Sequence, residues 1–307
     1  MRRSVLLLLF LAACGGASAQ PAAPPTASAA PTASAAPEAP AHTGPDADGA
    51  DGVRRWAAWE GPKSGPAITT KRAWVVAPNT MVSGSDKLSF SSVTLRLVDV
   101  EKAGGDEIVF RDHEHTYAVP AALARPAEAP KGLSKGAAVR CAFGGSSVVA
   151  RVAAADARSV TCAFRFEEKT RRERMAAADV LRLTGEIEPG APAIVRFESD
   201  ATKRFRGSVM AARGDDVWVK IDSQLSEGDA RASRAVQKVR ASSVEVIDLA
   251  RPLKAGDACL ATDIAGIVPC KVGKVIEGGL AYVVAFEGGS ASGRKEWSLG
   301  EVAAVRK

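Results

Sequence analysis

The chain has 307 residues, with 41 Lys+Arg against 35 Asp+Glu and a formal charge of +6. No long block of like charge occurs, and no apolar run reaches 18 residues, which excludes a polybasic tail and a membrane-spanning helix. Taken in chain order, the first element is a leader. Met1-Arg2-Arg3 is basic, and Val5 to Leu11 is apolar and uncharged. Such a run is too short to cross a bilayer as a helix and reads as a secretory signal.

The leader ends on Leu11-Ala12-Ala13-Cys14. These four residues resemble the lipobox of bacterial lipoprotein signal peptides. The resemblance implies cleavage after residue 13, lipid on the Cys14 thiol, and an anchor held by several acyl chains. Gly15 follows, with no Asp at that place. In the resemblance this points to the outer membrane, so the expected location is extracytoplasmic and the first partner is the membrane itself. An ordinary signal peptide cut after Ala19 is the competing reading.

Residues 14–52 read as a disordered tether. From 17 to 50 they are almost all Ala, Pro, Ser, Thr and Gly, and TASAAP occurs at 26–31 and again at 32–37. This composition buries too little apolar surface to offset its ordering entropy. Its prolines favour an extended form that could reach on the order of 100 Å. Arg2 and Arg3 are the basic residues before 53, and Glu38, Asp46, Asp48 and Asp51 the acidic ones. Residues 53–307 therefore hold 39 basic and 31 acidic groups.

The rest of the chain repeats. GKVIEGGLAYVVAFEGG from Gly273, GSVMAARGDDVWVKIDS from Gly207, ARVAAADARSVTCAFRFEE from Ala150 and VDVEKAGGDEIVFRD from Val98 each read as a strand, a tight turn and an alternating strand. Period two puts Val217, Val219 and Ile221 on one face, and Tyr282, Val284 and Phe286 on another. An apolar entry strand precedes each hairpin, from Ala73, Ala137, Pro192 and Gly256. A tail follows: Tyr117, Met175, Val239 and Trp297 each stand five residues before Ala122, Val180, Val244 and Val302, with one helical turn expected between. A period near 55 to 60 residues suits a self-contained five-stranded barrel. The expected fold is all-β: barrel 1 with an N-terminal extension at 53–127, barrel 2 at 131–185, barrel 3 at 188–250 and barrel 4 at 253–307.

This order of entry strand, long hairpin, strand, single turn and short strand resembles the Tudor/agenet-like group of SH3-like barrels. The fourth copy, AGDACLATDIAGIVPCKVGKVIEGGLAYVVAFEGGSASGRKEW, carries the resemblance furthest. Methyl-reading members use an aromatic cage. Where the family often has an aromatic-rich loop, this chain has DSQ (222–224), EEK (167–169) and EGG (287–289), so methyl-reading is not expected. Tyr282 falls on a core face, and Trp74 and Trp297 are expected in the core or at a barrel edge. Trp218, between Val217 and Val219, turns outward from its barrel. It is the candidate exposed binding aromatic, with a covered contact between barrels as the competing reading.

Chemistry has few carriers. The chain has no GxSxG, P-loop, HExxH or CxxC pattern, so no enzyme and no cofactor is expected. In RDHEHTY, His113 and His115 would share a strand face and could hold zinc with a third ligand, but none stands out nearby. A solvated turn is the expectation there, and a metal-binding role is the alternative function. With Cys14 lipidated, four cysteines remain in an oxidising compartment. Cys259 and Cys270 flank a loop between neighbouring strands, an easy staple. Cys141 and Cys162 fall on first and third strands expected across the barrel, and Cα atoms more than about 7 Å apart cannot be bridged. Two buried free thiols are the competing reading for that pair. The expected function is a non-enzymatic envelope lipoprotein whose barrels bind a protein or polysaccharide or act as a spacer. Export argues against a nucleic-acid partner.

Overall fold

The computed structural model describes residues 45–48, 51–56, 59, 61–78, 93–112, 115–197, 200–222, 236–263, 266–287 and 293–305. Cys14, the Ala/Pro-rich segment through 44, and His113 lie outside these residues. None of the described helices is long and apolar enough to cross a membrane.

Four sheets follow one another. The first holds β1 (Pro45–Asp48), β2 (Val53–Trp56), β3 (Arg72–Pro78), β4 (Val93–Gly104), β5 (Glu107–Asp112), β6 (His115–Pro120) and β7 (Ala124–Pro126), in the order β1-β2-β6-β5-β4-β3-β7. The second runs β8 (Ala138–Phe143), β9 (Ser146–Ala155), β10 (Ser159–Phe166), β11 (Lys169–Ala176) and β12 (Val180–Arg182). The third runs β13 (Pro192–Phe197), β14 (Asp200–Arg213), β15 (Asp216–Ile221), β16 (Val236–Arg240) and β17 (Val244–Val246). The fourth runs β18 (Ala258–Asp263), β19 (Gly266–Ile276), β20 (Ala281–Phe286), β21 (Trp297–Ser298) and β22 (Val302–Ala304).

In the last three sheets the antiparallel meander of strands one to four is closed by the fifth, which returns beside the first. The first sheet contains the same arrangement in β3 to β7. This is an all-β array of four small five-stranded SH3-like barrels. Register slips by one residue on each second strand, at Glu101, Ala153, Met210 and Gly273. Such a bulge bends the strand and raises its twist, so one long strand can pair with the first strand and then turn to pair with the third. A 3-10 turn precedes the fifth strand in three barrels, at Ala121–Leu123, Ala177–Asp179 and Ala241–Ser243. In the fourth a tight turn takes its place, closed by the Glu301 amide donating to the Ser298 carbonyl.

Two details differ from the sequence reading. In the first barrel the fifth strand begins at Ala124, while Ala122 sits inside the turn. Spacing from Tyr117 therefore placed the strand two residues early. Pro45–Asp48, assigned by composition to the tether, is instead a strand paired with Val53–Trp56. The turn between them gains from Asp51, whose carboxylate accepts from the Val53 amide and from both terminal nitrogens of Arg55. β2 then adds in parallel to the edge of β6.

Each of the last three barrels has its own core. Val139, Cys141, Val160 and Phe164 fill the second, Val209, Val217, Val219 and Ile221 the third, and Tyr282, Val284 and Trp297 the fourth. Two further clusters join barrels. One unites Ala138 of barrel 2, Ile194 and Ile247 of barrel 3, and Leu260, Leu299 and Ala303 of barrel 4. The other extends the barrel 1 core onto Met210, Ala211, Trp218 and Val236 of barrel 3. The described residues from Pro45 onward accordingly pack as one unit.

Candidate functional site at the barrel junction

The candidate residues from sequence scatter into different environments. Val217 and Val219 face their own core, and Trp218 between them points the other way. It is nevertheless only 7% exposed. Its ring centre lies 5.8 Å from that of Trp59, a residue of the chain leading into β3. The expectation of an exposed binding aromatic is thus corrected: alternation gave the direction, and a neighbouring barrel covers the face. Tyr282, Trp74 and Trp297 are all buried, and the Trp297 indole N–H donates to the Thr262 carbonyl at 2.7 Å.

The cysteines meet in two pairs. Cys259 and Cys270 are direct partners across β18 and β19, with Cα atoms 4.8 Å apart and their sulfurs bonded. Cys141 and Cys162 are bonded as well, with Cα atoms 6.7 Å apart. The expected distance across the barrel was too pessimistic, because a five-stranded barrel is narrow and both residues point into its centre. His113 lies outside the described residues. His115 sits beside the Tyr117 ring, edge-on at 6.3 Å. Asp112 of the same run accepts two bonds from Arg96, at 2.7 and 3.0 Å. Among the described residues, no three His, Cys, Asp or Glu side chains converge to hold a metal.

Sequence reasoning missed two features. One is Phe166, 39% exposed at the end of β10, which packs edge-on against Phe143 at 5.2 Å. Its signal was an aromatic on the strand directly before EEK. The second feature is larger. A cavity of about 360 Å³ opens where all four barrels meet, lined by Thr94 and Leu95 of barrel 1, Arg140 and Arg165 of barrel 2, Arg206, Lys220 and Asp222 of barrel 3, and Ser298 and Glu301 of barrel 4. Volumes of this order hold small ligands.

The charges around it are ordered by barrel contacts. Arg165 donates from Nε and Nη2 to both Glu296 oxygens, at 2.9 and 2.8 Å. Arg206 pairs with Glu301, which also takes Arg294 at 2.7 Å. Lys220 pairs with Asp222 at 3.1 Å. Burial pushes both Asp222 and Glu301 up, but the surrounding cations outweigh it. Lys220 and Arg206, with the Ser208 hydroxyl, hold Asp222 below its ordinary value, and Arg206 and Arg294 do the same for Glu301.

Arg140 is different. It is 8% exposed, and its guanidinium donates to the Gly190 carbonyl, to Ser147 Oγ at 3.4 Å and to Ser208 Oγ at 3.2 Å. All three acceptors are neutral. Burial pulls its pKa down to about 10, with Asp222 opposing and Arg206 adding to the fall. Gly190 itself is required here. Its φ is +92°, and a Cβ would stand 2.9 Å from Leu95 and 3.3 Å from the Arg140 stem.

The class defined by fold and cavity is a packed tandem array of SH3-like barrels. No known protein-family pattern matches the chain, and no curated protein matches it. Among solved structures, it is similar to the four MBT repeats of Drosophila melanogaster Sfmbt, solved with a methyl-lysine peptide. That superposition covers 69% of this chain and 86% of the other, at 8% identity and a TM-score of 0.16. A fit so loose transfers no ligand.

Proposed function

We propose that the protein is a non-enzymatic, lipid-anchored component of the bacterial cell envelope, whose four-barrel head binds a protein or polysaccharide partner. The observation that carries this reading is the pairing of cysteines. Cys141 with Cys162 and Cys259 with Cys270 use four of the five, and the fifth is Cys14 within LAAC. Disulfides persist in oxidising compartments, which agrees with export. A packed head presents fixed surfaces to a partner, whereas barrels on independent linkers would present changing ones. The Ala/Pro-rich segment suits a spacer between anchor and head.

Two experiments test it. Expression in a bacterial host with a clickable palmitate analogue should label the protein, and Cys14→Ser should abolish the label. A Cys14→Ser chain that still carries label would refute the anchor. Crosslinking the full chain in intact envelopes should then enrich a defined protein or glycan. Enrichment of background alone would leave the spacer role as the better reading.

A further inference from the structure

The four barrels can be superimposed residue by residue through their pairing with the fifth strand. Trp74 pairs with Arg125, Arg140 with Leu181, Ile194 with Glu245, and Leu260 with Ala303. These four first-strand residues are therefore equivalent. Three are apolar and buried: Ile194 and Leu260 lie in the cluster shared between barrels, and Trp74 in the barrel 1 cluster that continues onto barrel 3. Only barrel 2 places a charge there. A slot that the fold fills with Trp, Ile or Leu holds, in one copy, a guanidinium facing a cavity.

That guanidinium is the charge left over at the junction. The other cations lining the cavity each have a carboxylate partner: Glu296 for Arg165, Glu301 for Arg206 and Asp222 for Lys220. Among the described residues, no carboxylate stands within ion-pair distance of Arg140. A guanidinium has five N–H groups, and the three neutral acceptors named above leave two for another partner. Arg140 reaches a carboxylate only through Ser208, whose hydroxyl donates to Asp222 at 2.9 Å. A buried charge without a direct counter-charge is costly, and the natural remedy is an anion. Lys220, Asp222, Arg206 and Glu301 keep 16% to 20% of their side-chain surface in solvent, so the cavity is not sealed.

We propose that the junction cavity is an anion-binding site, in which Arg140 receives a carboxylate, phosphate or sulfate group. The occupant is a small anion, or the acidic group of a larger molecule such as a uronate. Each barrel contributes to the wall, so the site exists only in the assembled head. The proposal stands apart from the partner reading: an anion site would persist in a mere spacer, and its absence would leave a surface-bound partner untouched.

The test is the thermal midpoint of the purified full chain against phosphate, sulfate and glucuronate, with ionic strength held constant by chloride. At least one should raise the midpoint in a saturable way, and comparison of the three identifies the preferred group. Arg140→Met should weaken that anion's binding at least about tenfold, which is about 1.4 kcal/mol. Arg171→Met, on the exposed edge of β11, should leave it unchanged. Should Arg140→Met not fold, the buried Nε–H of wild-type Arg140 is followed by nuclear magnetic resonance. A shift on adding the anion, with the Arg171 signal still, supports the site. No saturable shift with any anion, or an equal response in Arg140→Met, overturns it.

Discussion

Trp218 teaches most at the scale of a single residue. It stands on the outside of its barrel, yet Trp59 and the barrel 1 core cover it. Trp218→Ala should therefore cost about 3–5 kcal/mol, as for a core aromatic, read from denaturant unfolding. Phe166→Ser should cost only about 1 kcal/mol, since it loses one edge-on ring contact and remains in water. Alternation along GDDVWVKIDS was legible and gave the correct direction for each side chain. What covers the outer face was not, because that depends on Trp59 and barrel 1, roughly 90 to 160 residues earlier in the chain. Arg140 was hidden for a related reason: an Arg in AVRCAF reads as an ordinary solvated alternate until the repeats are superimposed strand by strand. The acid response also belongs here. Asp222 and Glu301 have lowered pKa values in the fold, so their contribution is present above the ordinary carboxylate range near pH 4. It is lost as pH falls through the folded values. Stability should drop on acidification below about pH 4, and Asp222→Asn should flatten that part of the profile.

Strands and hairpins were the most legible elements. Each entry strand was readable as an apolar run, and each hairpin from its turn and alternation. The entry strands carried a further signal that went unused: AWVVA, AIV and ACLA are apolar on both faces, and strands of that kind are buried on both. Ile194 and Leu260 supply the second face, in the cluster shared between barrels. The turn of β10 and β11 shows how polar contacts finish the assembly. Arg165 reaches Glu296 of barrel 4, while Arg172 and Thr170 reach Glu277 on the same barrel. The Arg165 and Glu296 side chains are only 11% and 15% exposed, so Arg165→Met should cost about 3 kcal/mol by leaving a largely buried carboxylate unpaired. Arg172→Met, whose pair with Glu277 stands in solvent, should leave stability almost unchanged. Chemical denaturation of the two variants in parallel separates these outcomes.

Across the whole molecule, the four barrels share cores as well as linkers. Barrels 2, 3 and 4 meet in one apolar cluster, and barrel 1 extends its core onto barrel 3. Salt bridges follow the same seams, from Arg72 to Asp179 between barrels 1 and 2 and from Arg206 to Glu301 between barrels 3 and 4. Calorimetry of the oxidised protein should therefore give one dominant unfolding transition. Leu260→Asp, which puts a charge into the shared cluster, should split it into two or more. Independent transitions in the wild type would mean that the seams contribute little. The number of barrels could be read from repeats, but their assembly could not, since period two marks a buried face without saying which neighbour buries it.

The return of each fifth strand beside the first also has a mechanical meaning. In barrel 2, Arg182 lies opposite Val139, so the chain enters and leaves at the same end of one antiparallel pair. In barrels 3 and 4 the geometry is the same, with Val246 opposite Ala193 and Ala304 opposite Cys259. A pull along the chain would load these hydrogen bonds one after another, as in a zipper, instead of all together in shear. Forced opening is governed by the unfolding rate, and a zipper opens at low force. The two disulfides would then set how far a barrel can pay out, since residues 141–162 and 259–270 stay looped. A chain pulled from both ends would yield gently under tension, and in two of its four barrels only part of the way.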